Sequence, residues 1–422
     1  MTTTLGITDG VVSARRALEA LRSGVPNQDA VMALGASQPA IESAFMEMLR
    51  SMEGGQRAGM MLVSADFGVG KSHLLGHLER LASEEGFVCS RVVISKETPL
   101  FDRGKVLRTA LEHTRAKEGG NWIVLEAWRR LRSAESQARI EKLRVWLARS
   151  DCPVSPLFGA TLEIALSSKE EHSELLESVI RFWAGEKIAI REVKAALREL
   201  GLTEKYPVTT VPVRQLNIER WVFLPRLFLA AGYSGWVLLL DKIELIERYS
   251  QQQRLRSEAE IARWTGRVPE YVIPGIGVVM TTTDTLAGAL IDDRKDASVG
   301  IEKARSKGTE EWLQIAEAAR IGLEILSSGG LKIERPSVGR LREVHDQLKG
   351  IHGRAYSWEP PDLEMGTDTS SPIRRHVRRW IQEWDLRRLD PDAPVDMVYE
   401  ELTHEGREDR ALEGGGGEGD DS

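Results

Sequence analysis

Within the eight residues Ala65-Asp66-Phe67-Gly68-Val69-Gly70-Lys71-Ser72 stand two glycines, a lysine and a serine, a set that can do phosphate chemistry. Glycines let backbone N–H groups turn toward an anion, the lysine ammonium reaches the β- and γ-phosphates, and the serine hydroxyl ligates Mg²⁺. Gly70-Lys71-Ser72 alone carries little, because such a tripeptide also arises by chance. Its setting adds the specificity. Met60–Val63 is a short apolar run suited to a buried parallel strand, and Ser72–Ala82 repeats Leu74, Leu75, Leu78 and Leu81 at helical spacing. A strand, a glycine-bearing loop and a helix N-terminus in that order make a P-loop. One position departs: Ala65 stands where the motif opens on glycine, which costs little if its φ is negative and the loop leaves room for a methyl group.

The other half of such a site is a strand that ends in an acid. Trp236-Val237-Leu238-Leu239-Leu240-Asp241 fits, and it places Asp241 to hold Mg²⁺ through water opposite Ser72. Hydrolytic P-loop ATPases with an additional strand carry glutamate directly after this aspartate, to polarise the attacking water. Here Lys242 follows, and a protonated lysine cannot serve as that base. Glu244 can substitute if the chain is still extended there, since it then points to the same side as Lys242. If a helix has begun, it points elsewhere. A further strand, Ile276–Met280, runs into Thr281-Thr282-Thr283-Asp284; Thr283 is the candidate for contact with the γ-phosphate or the water, and a local turn is the plain alternative.

The surrounding pattern says what positions these groups. A chain of 422 residues exceeds one ordinary core, so two or three packed units are expected. Helical periodicity at Val11–Leu21 and Ile41–Met52 precedes the first strand, and Phe87–Ile94 reads as the second. From Thr98 to Arg220 the pattern is mostly helical. Ser173–Trp183 with Ile190–Leu200 fits either a helix-turn-helix pair or an ordinary helical hairpin, and the absence of a base-reading pattern favours the hairpin. A short strand at Leu331–Ile333 and helices at Val338–Leu348 and Ile373–Trp384 follow. The divisions expected are an N-terminal helical segment (1–56), a first part of the core (57–97), a helical insertion (98–220), a second part of the core (221–336), a helical lid (337–390) and an acidic, Gly-rich tail (391–422) read as disordered.

Composition narrows the class. The formal charge of −7 is concentrated at the end: Glu405–Ser422 holds seven acids and two arginines, leaving about −2 elsewhere, so bulk charge is silent on nucleic acid. Cys89 and Cys152, the two cysteines, give no metal-ligand spacing and no disulfide framework. Met1–Gly10 lacks the basic and apolar regions of a signal peptide, and the most membrane-like stretch, Trp221–Leu240, is broken by Pro225, Arg226, Gly232, Ser234 and Gly235. A cytoplasmic protein without a membrane partner is the expectation.

Longer runs carry a resemblance. Asp66-Phe67-Gly68-Val69-Gly70-Lys71-Ser72-His73-Leu74-Leu75 and Val93-Ile94-Ser95-Lys96-Glu97-Thr98-Pro99-Leu100 resemble the ATP-binding proteins of BREX phage-defence systems, the BrxC/BrxD family and its BrxD members most. Leu240-Asp241-Lys242-Ile243-Glu244-Leu245-Ile246, Arg248-Tyr249-Ser250 and the run from Arg374 to Leu386 are similar to the same family, with matches spread from about Ala14 to Leu389. The resemblance implies an α/β P-loop NTPase of AAA+-like type with a helical lid, ATP as the nucleotide, His73 within the phosphate-binding run, and work on phage DNA beside other defence-system proteins. The family pattern has glycine at Ala65 and glutamate at Lys242, and both departures fall in the ATP site.

Ring-forming ATPases of this type assemble as homo-oligomers and place a lid arginine, and one from a neighbouring subunit, near the γ-phosphate. Arg374 or Arg375 suits the lid role; Arg320 and Arg263 are candidates for the second, or plain solvated helix residues. Six arginines interleave with Trp380 and Trp384 between Arg374 and Arg388, which would suit nucleic-acid phosphates. The spacing of Val377, Trp380, Ile381 and Trp384 favours an amphipathic lid helix instead. Two other functions fit the same residues: a nucleotide-gated scaffold that does not hydrolyse ATP, and a DNA loader or remodeller outside defence.

Overall fold

In the computed structural model the described residues are 3–24, 27–52, 59–65, 69–115, 123–168, 173–268, 273–363 and 371–391. Three helices open the chain, α1 (Thr3–Ser23), α2 (Gln28–Leu34) and α3 (Pro39–Met52). Strand β1 (Gly59–Ser64), α4 (Lys71–Glu84), β2 (Val88–Val93), α5 (Arg103–Glu112) and the two-residue β3 (Thr114–Arg115) follow. Helices α6 (Ile123–Leu131), α7 (Gln137–Leu147), α8 (Pro156–Ser167), α9 (Glu174–Trp183), α10 (Ile190–Glu199) and α11 (Val213–Ala230) fill the span before β4 (Trp236–Asp241). Beyond it lie α12 (Gln251–Trp264), β5 (Ile276–Thr282), α13 (Leu286–Gly288), α14 (Ile301–Ser306), α15 (Glu310–Ser327), β6 (Leu331–Lys332), α16 (Val338–Tyr356) and α17 (Ile373–Leu389).

The sheet order is β3-β2-β4-β5-β1-β6. Five strands run parallel, and β3 joins the β2 edge antiparallel. This α/β layering is that of a P-loop NTPase-like fold. β4 and β5 are buried along their whole length, as expected of apolar runs covered on both faces of a parallel sheet. The register sets Asp241 opposite Val93 on β2, and Val63 of β1 opposite Thr281 on β5. All five parallel strands therefore deliver their C-terminal ends to one edge, where the loops that follow them converge.

Three apolar clusters hold the layers together. One sheet face packs with α3 and α4 through Phe45, Leu49, Leu75, Leu78 and Val237. The other face shares a single large cluster with α5–α11, α12 and α15, so the helices between β2 and β4 cover the sheet directly. The helical periodicity of residues 98–220 is met by α5–α10, and α9 and α10 bury Phe182, Trp183, Val193 and Leu197 in that cluster. The third cluster joins the first described helices to the last: α1 and α2 pack on α16 and α17 through Leu18, Leu34, Leu348, Val377, Trp380, Ile381 and Trp384. The four α17 residues picked out by helical spacing all face this core.

The stretch Trp221–Leu240 is divided between α11 and β4 by a turn containing Gly232 and Gly235, both with positive φ. Among the described residues no helix is long and apolar enough to cross a membrane. The acidic tail read as disordered lies outside the described residues from 392 onward.

Candidate functional site

Asp241 is 1% exposed at the end of β4, and three side chains converge on its carboxylate. Ser72 Oγ, in the first turn of α4, donates to Oδ2 at 2.8 Å. The Arg91 guanidinium on β2 donates to the same oxygen at 2.8 Å, and Thr281 Oγ1 on β5 donates to Oδ1 at 2.8 Å. Burial alone would raise this carboxyl; Arg91, Thr281 and Ser72 outweigh it and hold it below the ordinary aspartate range. Ser72 and Asp241, 169 positions apart, thus meet in a side-chain hydrogen bond.

The loop before α4 is described in part. Asp66, Phe67 and Gly68 lie outside the described residues, while Ala65, Val69, Gly70, Lys71, Ser72 and His73 lie within them. Ala65 keeps a negative φ and extends the β1–β5 pairing by one bond, its N–H donating to Thr282 O at 3.1 Å. The backbone condition for alanine at the motif's opening position is therefore met. Gly70 caps α4 with φ +111°, a left-handed conformation that favours glycine. Lys71 Nζ reaches back across the loop to donate to Ala65 O at 2.7 Å. His73 Nε2 bonds Gly35 O at 2.8 Å, and burial holds its pKa below the usual histidine value.

The chain turns sharply after the acid. Lys242 is exposed and left-handed (φ 63°, ψ 42°), and a 3₁₀ turn over Ile243–Arg248 starts directly after it. An extended path to Glu244 is thereby excluded, yet Glu244 still lines the same cavity as Lys71, Ser72, Asp241 and Lys242. It is 3% exposed, and its Oε2 has no hydrogen-bond partner among the described residues. Burial pushes the Glu244 carboxyl up against the opposing pull of Lys71. A non-glycine residue held left-handed beside an unsatisfied buried carboxyl is the type of strain that concentrates at working sites.

Thr283 is not brought there. β5 ends at Thr282, so Thr283 already lies in the following turn, where its hydroxyl bonds that of Thr285 at 3.2 Å. The strand's polar contact with the acid comes from Thr281. Arg374, at the head of α17, lines the cavity wall; its Nη2 donates to Ser23 O at 3.3 Å, and Arg378 donates to Ser23 O at 2.7 Å. Both thereby face the last carbonyls of α1, where a helix dipole favours cations. Burial and the nearby Arg378 charge lower the Arg374 pKa. Arg263 is ion-paired with Glu260, and Arg320 with Glu317 and Glu324.

The cavity holding these groups has a volume of about 740 Å³, within the range of small-molecule sites. Beyond Lys71, Ser72 and Asp241 its walls come from Leu34–Pro39 after α2, from Ile333–Ser337 after β6, and from Ile373 and Val377 of α17. The residue pattern did not point to the first two segments, since neither carries a recognisable motif. Arg91 left a faint signal, a lone charge inside the apolar strand Val88–Val93. The donor set suits a nucleotide with Mg²⁺: a hydroxyl and a carboxylate within 2.8 Å of each other give the sparse oxygen ligation that Mg²⁺ shares with phosphates and water. Lys71 supplies a cation at the same end of the cavity.

Residues 12–142 match the family described as BREX system ATP-binding protein BrxC/D. The matched span runs from within α1 to within α7, takes in β1, β2, β3 and the loop before α4, and stops before Asp241, Glu244, Thr283 and Arg374. The family description joins BrxC and BrxD. No curated protein and no solved structure matches the chain.

Proposed function

We propose that this chain is an AAA+-like ATP-binding protein of a BREX-type phage-defence system, most like BrxD, acting in the cytoplasm on DNA with partner proteins of the system. The observation that carries the reading is the Ser72–Asp241 bond, which joins the head of α4 to the end of β4 on one cavity wall. The match over residues 12–142 supports ATP and the defence setting. The strand order supports the additional-strand type, because β5 lies between β1 and β4. In this reading residues 57–97 and 221–336 form the ATPase core, 98–220 the insertion, and 337–390 the lid, with 1–56 as the N-terminal segment.

Lys71 and the backbone of the loop bind the phosphates, and Ser72 with Asp241 holds Mg²⁺. When bound, Mg²⁺ neutralises charge that develops on the phosphates. Glu244 orients and deprotonates water, and Arg374 leaves the end of α1 to face the γ-phosphate. A second reading, a nucleotide-gated scaffold without turnover, is favoured by Lys242, a cation where the additional-strand pattern has the base.

Calorimetric ATP binding beside turnover, with and without DNA, separates the two. Turnover supports the ATPase and binding without it supports the scaffold. Lys71→Ala should weaken ATP binding by roughly a hundredfold or more, as expected for loss of charge-assisted bonds to phosphate. Unchanged affinity would overturn the phosphate-site reading itself.

A further inference from the structure

Arg91 holds the oxygen of Asp241 that faces Ser72. Ser72 Oγ and Arg91 Nη2 each lie 2.8 Å from Oδ2, while Thr281 takes Oδ1. The arrangement follows from register. Asp241 stands opposite Val93, and Arg91 is two residues back on β2, so its side chain shares a sheet face with the acid and spans the gap diagonally. Arg91 is not locked in: its side chain is 23% exposed, against 1% for Asp241, so the guanidinium has a route to solvent that the carboxylate lacks. A cation ligated by Ser72 and drawn to Asp241 would need the lone pairs of Oδ2, and there Arg91 already supplies both charge and hydrogen bond.

We propose that Arg91 competes with Mg²⁺ for Asp241 and so sets how much divalent cation the site requires before it holds a nucleotide tightly. Arg91 is a positioning residue in this scheme. It keeps the buried carboxylate charged and aimed at Ser72, and it must turn outward when the metal is held. The inference rests on the assignment of Ser72 and Asp241 to Mg²⁺ proposed above. It adds that metal binding to this chain is opposed by a group of its own.

The test is titration of Mg²⁺ into the full chain with a non-hydrolysable ATP analogue, read by calorimetry, for the natural chain, Arg91→Gln and Arg91→Lys. Glutamine keeps an N–H donor for the buried carboxylate but removes the charge, so the fold is preserved. Arg91→Gln should lower the half-saturating Mg²⁺ concentration by roughly ten- to a hundredfold, the scale of one charge-assisted bond. Its affinity for the analogue without Mg²⁺ should not rise. Arg91→Lys should stay near the natural chain. Equal Mg²⁺ demand in all three proteins, or a greater demand in Arg91→Gln, overturns the competition while leaving the phosphate site standing. Absence of analogue binding at every Mg²⁺ concentration in the natural chain, with the same melting temperature before and after addition, removes the parent reading and the inference with it.

Discussion

At the scale of single residues the site sets Lys242 against Glu244. Lys242 directly follows Asp241 and is exposed and left-handed, whereas Glu244 is buried, its Oε2 without a partner among the described residues, and pushed up in pKa. If Glu244 takes the proton from water, turnover rises with pH through a midpoint above the ordinary glutamate range, because burial keeps the carboxyl protonated below it. The linkage runs the other way for stability. A carboxyl whose folded pKa is raised contributes fully below its unfolded value, and that contribution is lost as pH rises through the folded value. Glu244→Gln should therefore abolish turnover and yet raise the melting temperature at pH 8, by about 1 kcal/mol of stability. Loss of both activity and stability would assign Glu244 to the fold instead. Lys242→Glu restores a carboxylate directly after Asp241, and turnover should rise by about a hundredfold if a missing base limits the rate. A steady-state assay that finds no gain would mean that the base already present suffices.

At the scale of elements, a close helix–helix approach lies away from the motifs, between α12 and α15. A Cβ on Gly322 would stand 2.0 Å from the backbone oxygen of Glu258, so neither helix can yield by rotating a side chain. Gly322→Ala should cost about 1 to 3 kcal/mol by forcing the helices apart, seen as a lower midpoint in denaturant melts. A neutral result would mean that the pair closes less tightly. This glycine gives no sign of its role in the chain's order, because helical periodicity reports which face is apolar and not how close the partner comes. The same division runs through the site. Strands β1 and β4 were legible because each is an apolar run ended by a motif residue, and α17 because Val377, Trp380, Ile381 and Trp384 keep helical spacing. Arg91 and Thr281 were not, since their meeting with Asp241 depends on strand register between segments far apart in sequence. In the run Thr281-Thr282-Thr283 the choice turned on where β5 ends, one residue before Thr283. Element boundaries of that fineness are set by tertiary contacts.

At the scale of the whole molecule, the cavity is built by parts of the chain that share no motif. The first and last described helices meet in one apolar cluster, and α1, α2, α16 and α17 form it without help from the sheet. The cavity lies where that cluster meets the C-terminal edge of the strands, with Leu34–Pro39 and Val377 on one side and Lys71, Ser72 and Asp241 on the other. Among the described residues His73 Nε2 bonds Gly35 O across this junction, so a ligand spanning it would add contacts between the two sides. Binding and closure are then linked. ATP with Mg²⁺ at a hundred times its Kd should stabilise the chain by about 2.7 kcal/mol. Hydrogen exchange should slow together in residues 70–74, 34–39, 333–343 and 373–377, although only the first group belongs to the phosphate loop. Slowing confined to residues 70–74 would mean that phosphate binding proceeds without the terminal helices, and that their closure is driven by something other than the nucleotide. Slowing across all four would make the helix cluster the element through which bound nucleotide is reported to a partner.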